Sequence, residues 1–122
     1  MNKTVLVVED AVFSKKLLIG VLEEAGFKVI GEAEDGKKAV ELYKKFQPDI
    51  VTMDINMPIM DGIESLKKII EFNAKANVII VSALGQSSKI TEAIKNGATN
   101  FIIKPYDPQH VIEVLNDVII EK

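Results

Sequence analysis

Five strand-length apolar runs, each closed by turn-forming or charged residues, constrain this chain more than anything else in it. They occupy residues 5–8, 28–33, 49–53, 78–81 and 101–103. The first and fourth, VLVV and VIIV, show no polar alternation, which is expected of strands covered on both faces. Between the runs, apolar residues return every three or four positions, the period of an amphipathic helix. The stripes are Phe13, Leu17, Leu18, Val21, Leu22 and Ala25; then Ala39, Val40, Tyr43 and Phe46; then Ile63, Leu66, Ile69 and Ile70. Ile90, Ala93 and Ile94 predict a short fourth helix after a loop at 85–88, and Val111, Ile112, Leu115, Val118 and Ile119 predict a fifth. Gly26 and Asn96-Gly97 stand where helices stop, and Asp107-Pro108 stands where the last one begins. Strand and helix therefore alternate five times. That pattern is an α/β fold, a doubly wound parallel sheet built from five βα units, with right-handed crossovers. In the order 2-1-3-4-5, strands 1 and 3 are neighbours at the point where the winding reverses, and ligands bind beyond the carboxyl ends of the strands there.

The length, 122 residues, suits one domain spanning 1–122, and there is no repeat, low-complexity tract or linker. The net charge is −3, and all fifteen basic residues are lysines spread along the chain, which argues against nucleic acid as a partner. The apolar runs are too short for a signal peptide or a membrane span, so a cytoplasmic protein is expected. Having no cysteine, the chain can form no disulfide, thiolate metal site or cysteine nucleophile. Having no arginine, it meets anions with lysine.

The strand ends carry the chemistry. Glu9 and Asp10 follow strand 1, Asp54 follows strand 3, Ser82 follows strand 4 and Lys104 follows strand 5. Asn56, Pro58, Asp61 and Gly62 make the chain after Asp54 a loop. Taken singly, each has a plain explanation: a solvated acid, a turn-capping hydroxyl, a surface lysine. Taken together they share one edge of the sheet. Three carboxylates close together require a proton or a cation between them, and an all-oxygen set favours a hard ion such as Mg²⁺. Lys104 and Ser82 suit a phosphoryl group, with Asp54 as the nucleophile that forms an acyl phosphate. His110, the single histidine, lies on the last helix away from this edge and reads as a partly exposed helix residue.

Glu9-Asp10, MDINMPIMDG around Asp54, Ser82-Ala83 and Lys104-Pro105 resemble the receiver domain of two-component response regulators. EDAVFSKKLL, VTMDINMP, SALGQ and FIIKPY are most similar to the stand-alone, CheY-like chemotaxis regulators, with their flavodoxin-like fold. The resemblance implies a signalling protein without output domain and not an enzyme, a monomer phosphorylated on Asp54 by a histidine kinase. It implies Asp10, Asp54 and the Asn56 main-chain carbonyl as Mg²⁺ ligands, with Glu9 acting through water. Ser82 and Lys104 would contact the phosphoryl group. Ser82 and Phe101 would move on switching, altering a helix 4, strand 5 and helix 5 face that a target protein reads. The Lys104-Pro105 bond is often cis in such domains. Glu9, Ser82 and Phe101 stand where Asp, Thr and Tyr are frequent, which changes details of metal affinity and switching but keeps the chemistry. Asn56 and Leu84 occupy positions that influence dephosphorylation.

Other readings have less support. A stand-alone receiver in a non-chemotaxis phosphorelay would look much the same. A Toprim-like nucleic-acid enzyme would need an acid where Asn56 stands and a basic groove. A dinucleotide-binding or P-loop enzyme would need glycines after strand 1, where EDAVFS stands. A receiver-like module that binds partners without phosphorylation would not need the intact set of acids, Ser82 and Lys104.

Overall fold

The computed structural model describes residues 3–120. The elements alternate as β1 (Thr4–Val8), α1 (Val12–Glu24), β2 (Lys28–Ala33), α2 (Gly36–Phe46), β3 (Ile50–Asp54), α3 (Gly62–Phe72), β4 (Val78–Ala83), α4 (Ser87–Lys95), β5 (Asn100–Lys104) and α5 (Pro108–Ile120). The strands form one sheet in the order β2-β1-β3-β4-β5, with every neighbouring pair parallel. This is the architecture expected from the sequence.

The sheet has a core on each face because successive strand residues point to opposite sides. Leu6, Val8, Val51, Met53 and Ile80 pack with Tyr43 of α2, Leu66 and Ile69 of α3 and Ala93 of α4. Val5, Val7, Ile50, Ile79 and Ile102 pack with Leu18 and Leu22 of α1 and Val111, Leu115 and Val118 of α5. Burial on both sides explains why VLVV and VIIV carry no polar alternation. Side-chain caps set two helix starts: Asp35 accepts the Lys38 N–H at 2.8 Å and Asp61 accepts the Glu64 N–H at 2.9 Å. Asp107 accepts the Gln109 N–H at 2.9 Å beside the start of α5.

Several predicted core positions are corrected. Phe13, Leu17, Phe46 and Ile94 are exposed. The inner stripe of α1 is Lys15, Leu18 and Leu22, so Phe13 and Leu17 fall outside it. Lys15 is buried because its ammonium reaches Glu34 at 2.9 Å and Glu32 at 3.4 Å beside the end of β2. Phe46 lies over the edge strand β2, where no further strand covers its other side. α4 begins at Ser87 and buries Ala93, leaving an apolar groove of about 450 Å³ whose lining includes Ile90, Ile94, Phe101 and Ile103.

Thr52 is the polar exception inside the sheet. It is 1% exposed, its Oγ1 has no hydrogen-bond partner among the described residues, and Val7 and Ile79 flank it on the neighbouring strands. Valine has nearly the same shape without the desolvated hydroxyl. Thr52→Val should therefore raise stability by about 1 kcal/mol. The check is a higher urea midpoint with unchanged slope; a lower midpoint would mean that the hydroxyl is satisfied in solution.

Candidate functional site

Pairing in register brings the strand-end residues together. β1 lies beside β3 with Val8 opposite Met53, so Glu9 and Asp10 emerge next to Asp54. β4 lies on the other side of β3, and Ala83 pairs with Lys104 of β5, which returns Ser82 and Lys104 to the same edge. One carboxylate oxygen from each of Glu9, Asp10 and Asp54 lies within 4.8 Å of the others. Glu9 and Asp54 are buried and Asp10 is exposed. Lys104 bridges the buried pair, with Nζ 2.7 Å from Glu9 Oε1 and 3.2 Å from Asp54 Oδ2. The Lys104-Pro105 bond is cis.

Main-chain donors orient the acids. The Ala11 N–H donates to Glu9 Oε2 at 3.2 Å, and the Asn56 N–H donates to Asp54 Oδ1 at 3.3 Å. Burial raises the Glu9 pKa above the ordinary carboxylate value, Asp54 beside it raises it further, and the Lys104 hydrogen bond works the other way. A raised folded-state pKa means that Glu9 ionisation opposes folding as pH climbs above the usual carboxylate range. For Lys104 the largest influence, burial, lowers the pKa, but hydrogen bonding and attraction from Glu9 and Asp54 together raise it. Three carboxylates and one ammonium leave two negative charges in a small space. All the donors are oxygen, so the residues fit a hard divalent cation that retains water.

The loop carrying Asn56 is pinned from below. Gly62 N–H donates to Ile55 O at 2.8 Å, Gly36 N–H donates to Met60 O at 2.9 Å, and Ser65 Oγ donates to Gly36 O at 2.8 Å. A Cβ at Gly62 would lie 2.1 Å from the Asp54 carbonyl oxygen, so this position excludes side chains to hold Asp54 in place. Within the same loop Ile59, a β-branched residue 81% exposed, takes a left-handed φ of 69°.

Every strand-end residue expected from the sequence reaches this edge. Ser82 is buried, and its hydroxyl donates to Gln86 Oε1 at 2.8 Å, a partner that sequence reasoning missed. SALGQ placed Gln86 four residues on, but nothing in that spacing shows the amide folding back. Phe101 is exposed beside the α4 groove, as are Leu84 and His110. No helix among the described residues is long and apolar enough to cross a membrane.

Residues 5–116 match the response regulator receiver domain. The chain is 49% identical over 118 residues to a chemotaxis protein CheY of Thermotoga maritima, covering 97% of this chain and 98% of that protein. It is 47% identical over 116 residues to a chemotaxis protein CheY of Bacillus subtilis, covering 95% and 97% respectively. Among solved structures, it is similar to a chain of the CheX–CheY–BeF₃–Mg²⁺ complex from Borrelia burgdorferi. That likeness has a TM-score of 0.92 and 42% identity, over 96% of this chain and 89% of that one. With the strand-end acids, the lysine and the 2-1-3-4-5 sheet in place, the chain belongs to the response regulator receiver domain family.

Proposed function

We propose that residues 1–122 act as one receiver domain, a phosphoryl-accepting switch of chemotaxis signalling in the cytoplasm. The single observation that carries this is Asp54: a buried carboxylate at a strand end, with two further acids within 4.8 Å and Lys104 at 3.2 Å. An Asp54 carboxylate oxygen bonds to phosphorus as the P–N bond to the phosphohistidine of a kinase breaks, and the bonding pair leaves with the imidazole nitrogen. Lys104 neutralises the phosphoryl oxygens. Asp10, Asp54 and the Asn56 carbonyl would hold Mg²⁺, with Glu9 contributing through water. When bound, the ion offsets negative charge on both the acceptor and the transferring group. The chain stores the phosphoryl group as a signalling protein instead of turning over a substrate.

The acyl phosphate offers new acceptors to Ser82 and draws Phe101 inward, which reshapes the α4, β5 and α5 face for a target protein. The apolar groove beside Phe101 supports that output surface. The two CheY relatives, each matched over nearly its whole length, favour chemotaxis over another phosphorelay.

Acetyl phosphate and Mg²⁺ should add the mass of one phosphoryl group to the chain, and Asp54→Asn should abolish the gain. Modification that persists in Asp54→Asn would remove Asp54 from its role. A wild-type chain that folds and binds Mg²⁺ but gains no mass would instead indicate a partner-binding module.

A further inference from the structure

The Ser82 hydroxyl has a single proton, and two acceptors compete for it. In the structure that proton goes to Gln86 Oε1 at 2.8 Å, with the Ala83 carbonyl a longer alternative at 3.2 Å. The same Gln86 oxygen accepts the Ala83 N–H at 3.0 Å. This second bond fixes which end of the carboxamide faces Ser82, because an amide NH₂ cannot accept from an N–H. With the oxygen turned toward it, the Ser82 hydroxyl has to be the donor.

Burial makes the bond consequential. Ser82 is 0% exposed, so its bond to Gln86 is shielded from water, whereas Gln86 is only partly buried and also holds the Ala83 N–H. Gln86 stands at the N-cap position of α4 yet makes no side-chain cap bond to that helix. Its carboxamide is committed to the end of β4 instead.

On the reading that Asp54 accepts a phosphoryl group, we propose that Gln86 is a positioning residue that restrains Ser82 by occupying its only proton. A phosphoryl oxygen on Asp54 that accepts from Ser82 must take that proton from Gln86, so the strength of the Ser82–Gln86 bond subtracts from the affinity for the phosphorylated state. Gln86 is the residue just before α4, so the bond joins the end of β4 to the start of the helix that flanks the Phe101 groove.

The test titrates the full chain with beryllofluoride in saturating Mg²⁺, a phosphoryl mimic, followed by ¹⁹F NMR. Gln86→Met removes the acceptor at similar length, Gln86→Ala removes it with the rest of the side chain, and Gln86→Glu keeps an acceptor. Gln86→Met and Gln86→Ala should bind about three- to tenfold tighter, the range of one ordinary hydrogen bond. Gln86→Glu should not bind tighter. In a Ser82→Ala background Gln86→Met should change affinity less than about twofold, because no hydroxyl remains to release. Unchanged affinity in the two acceptor-free variants overturns the restraint, as does equal tightening with and without the Ser82 hydroxyl. A wild-type chain that fails to bind beryllofluoride overturns the phosphoryl-acceptor reading and this inference with it. Wild-type binding without a Gln86 effect overturns the inference alone.

Discussion

Gly62→Ala should destabilise the protein by about 3 kcal/mol, the upper end of the range for overpacking, and lower its melting temperature by roughly 10 °C. The new methyl carbon would stand 2.1 Å from the Asp54 carbonyl oxygen and 2.8 Å from the Ile55 Cα. Both are main-chain atoms, so no rotamer change relieves the contact, and either α3 or the strand end bearing Asp54 has to shift. Moving Asp54 also disturbs the carboxylate cluster, so the same variant should bind Mg²⁺ about tenfold more weakly, since a hard ion tolerates little change in its oxygens. Gly20→Ala is the matched control. Gly20 is exposed within α1, a Cβ there meets nothing within 4 Å, and alanine should raise stability by about 1 kcal/mol through helix propensity. Urea denaturation of the two variants decides the point: a Gly62→Ala chain within about 0.5 kcal/mol of wild type would show that the contact relaxes freely.

The contrast between these glycines indicates what the sequence could and could not disclose. Strand and helix periods report burial, so VLVV, VIIV and the helical stripes disclosed the sheet and its neighbours. The strand-end rule then placed Glu9, Asp10, Asp54, Ser82 and Lys104 on one edge without any coordinates. Close approach leaves no such trace, and Gly62 looked like one more turn glycine after Asp61.

The misses have related causes. Phe46 continues the α2 stripe by spacing, but the stripe runs past the edge strand, where half of the ring meets water. Leu17 and Leu18 are equally apolar, and only the docking angle of α1 decides that Leu18 turns inward. Lys15 was invisible because a lysine is ordinarily exposed; it is buried here since two glutamates from the end of β2 meet its ammonium. Gln86 depends on loop dihedrals and a side-chain rotamer, neither of which has a period. A contact such as Ser82–Gln86 is thus less legible than the acids beside it.

Lys104→Met should separate two properties of the site by moving them in opposite directions. In the wild type, Lys104 Nζ lies 2.7 Å from Glu9 and 3.2 Å from Asp54, where its positive charge opposes a second cation. Methionine keeps much of the side chain's length and removes the charge. Even at an effective dielectric constant near 20, deleting one cation a few ångström from the ion's position should raise Mg²⁺ affinity at least about tenfold. If Lys104 neutralises the transferring phosphoryl oxygens as proposed, its loss should meanwhile lower the rate of phosphorylation by acetyl phosphate about a hundredfold at saturating Mg²⁺. The affinity gain should shrink as pH falls. Burial and Asp54 already hold the Glu9 pKa up while Lys104 holds it down, so removing the lysine lets a proton take its place on Glu9. A Mg²⁺ titration by amide chemical shifts at several pH values, with phosphorylation rates from mass spectrometry, tests both halves. Weaker Mg²⁺ binding would mean that Lys104 organises the acids more than it competes for them, and an unchanged rate would remove it from contact with the phosphoryl group.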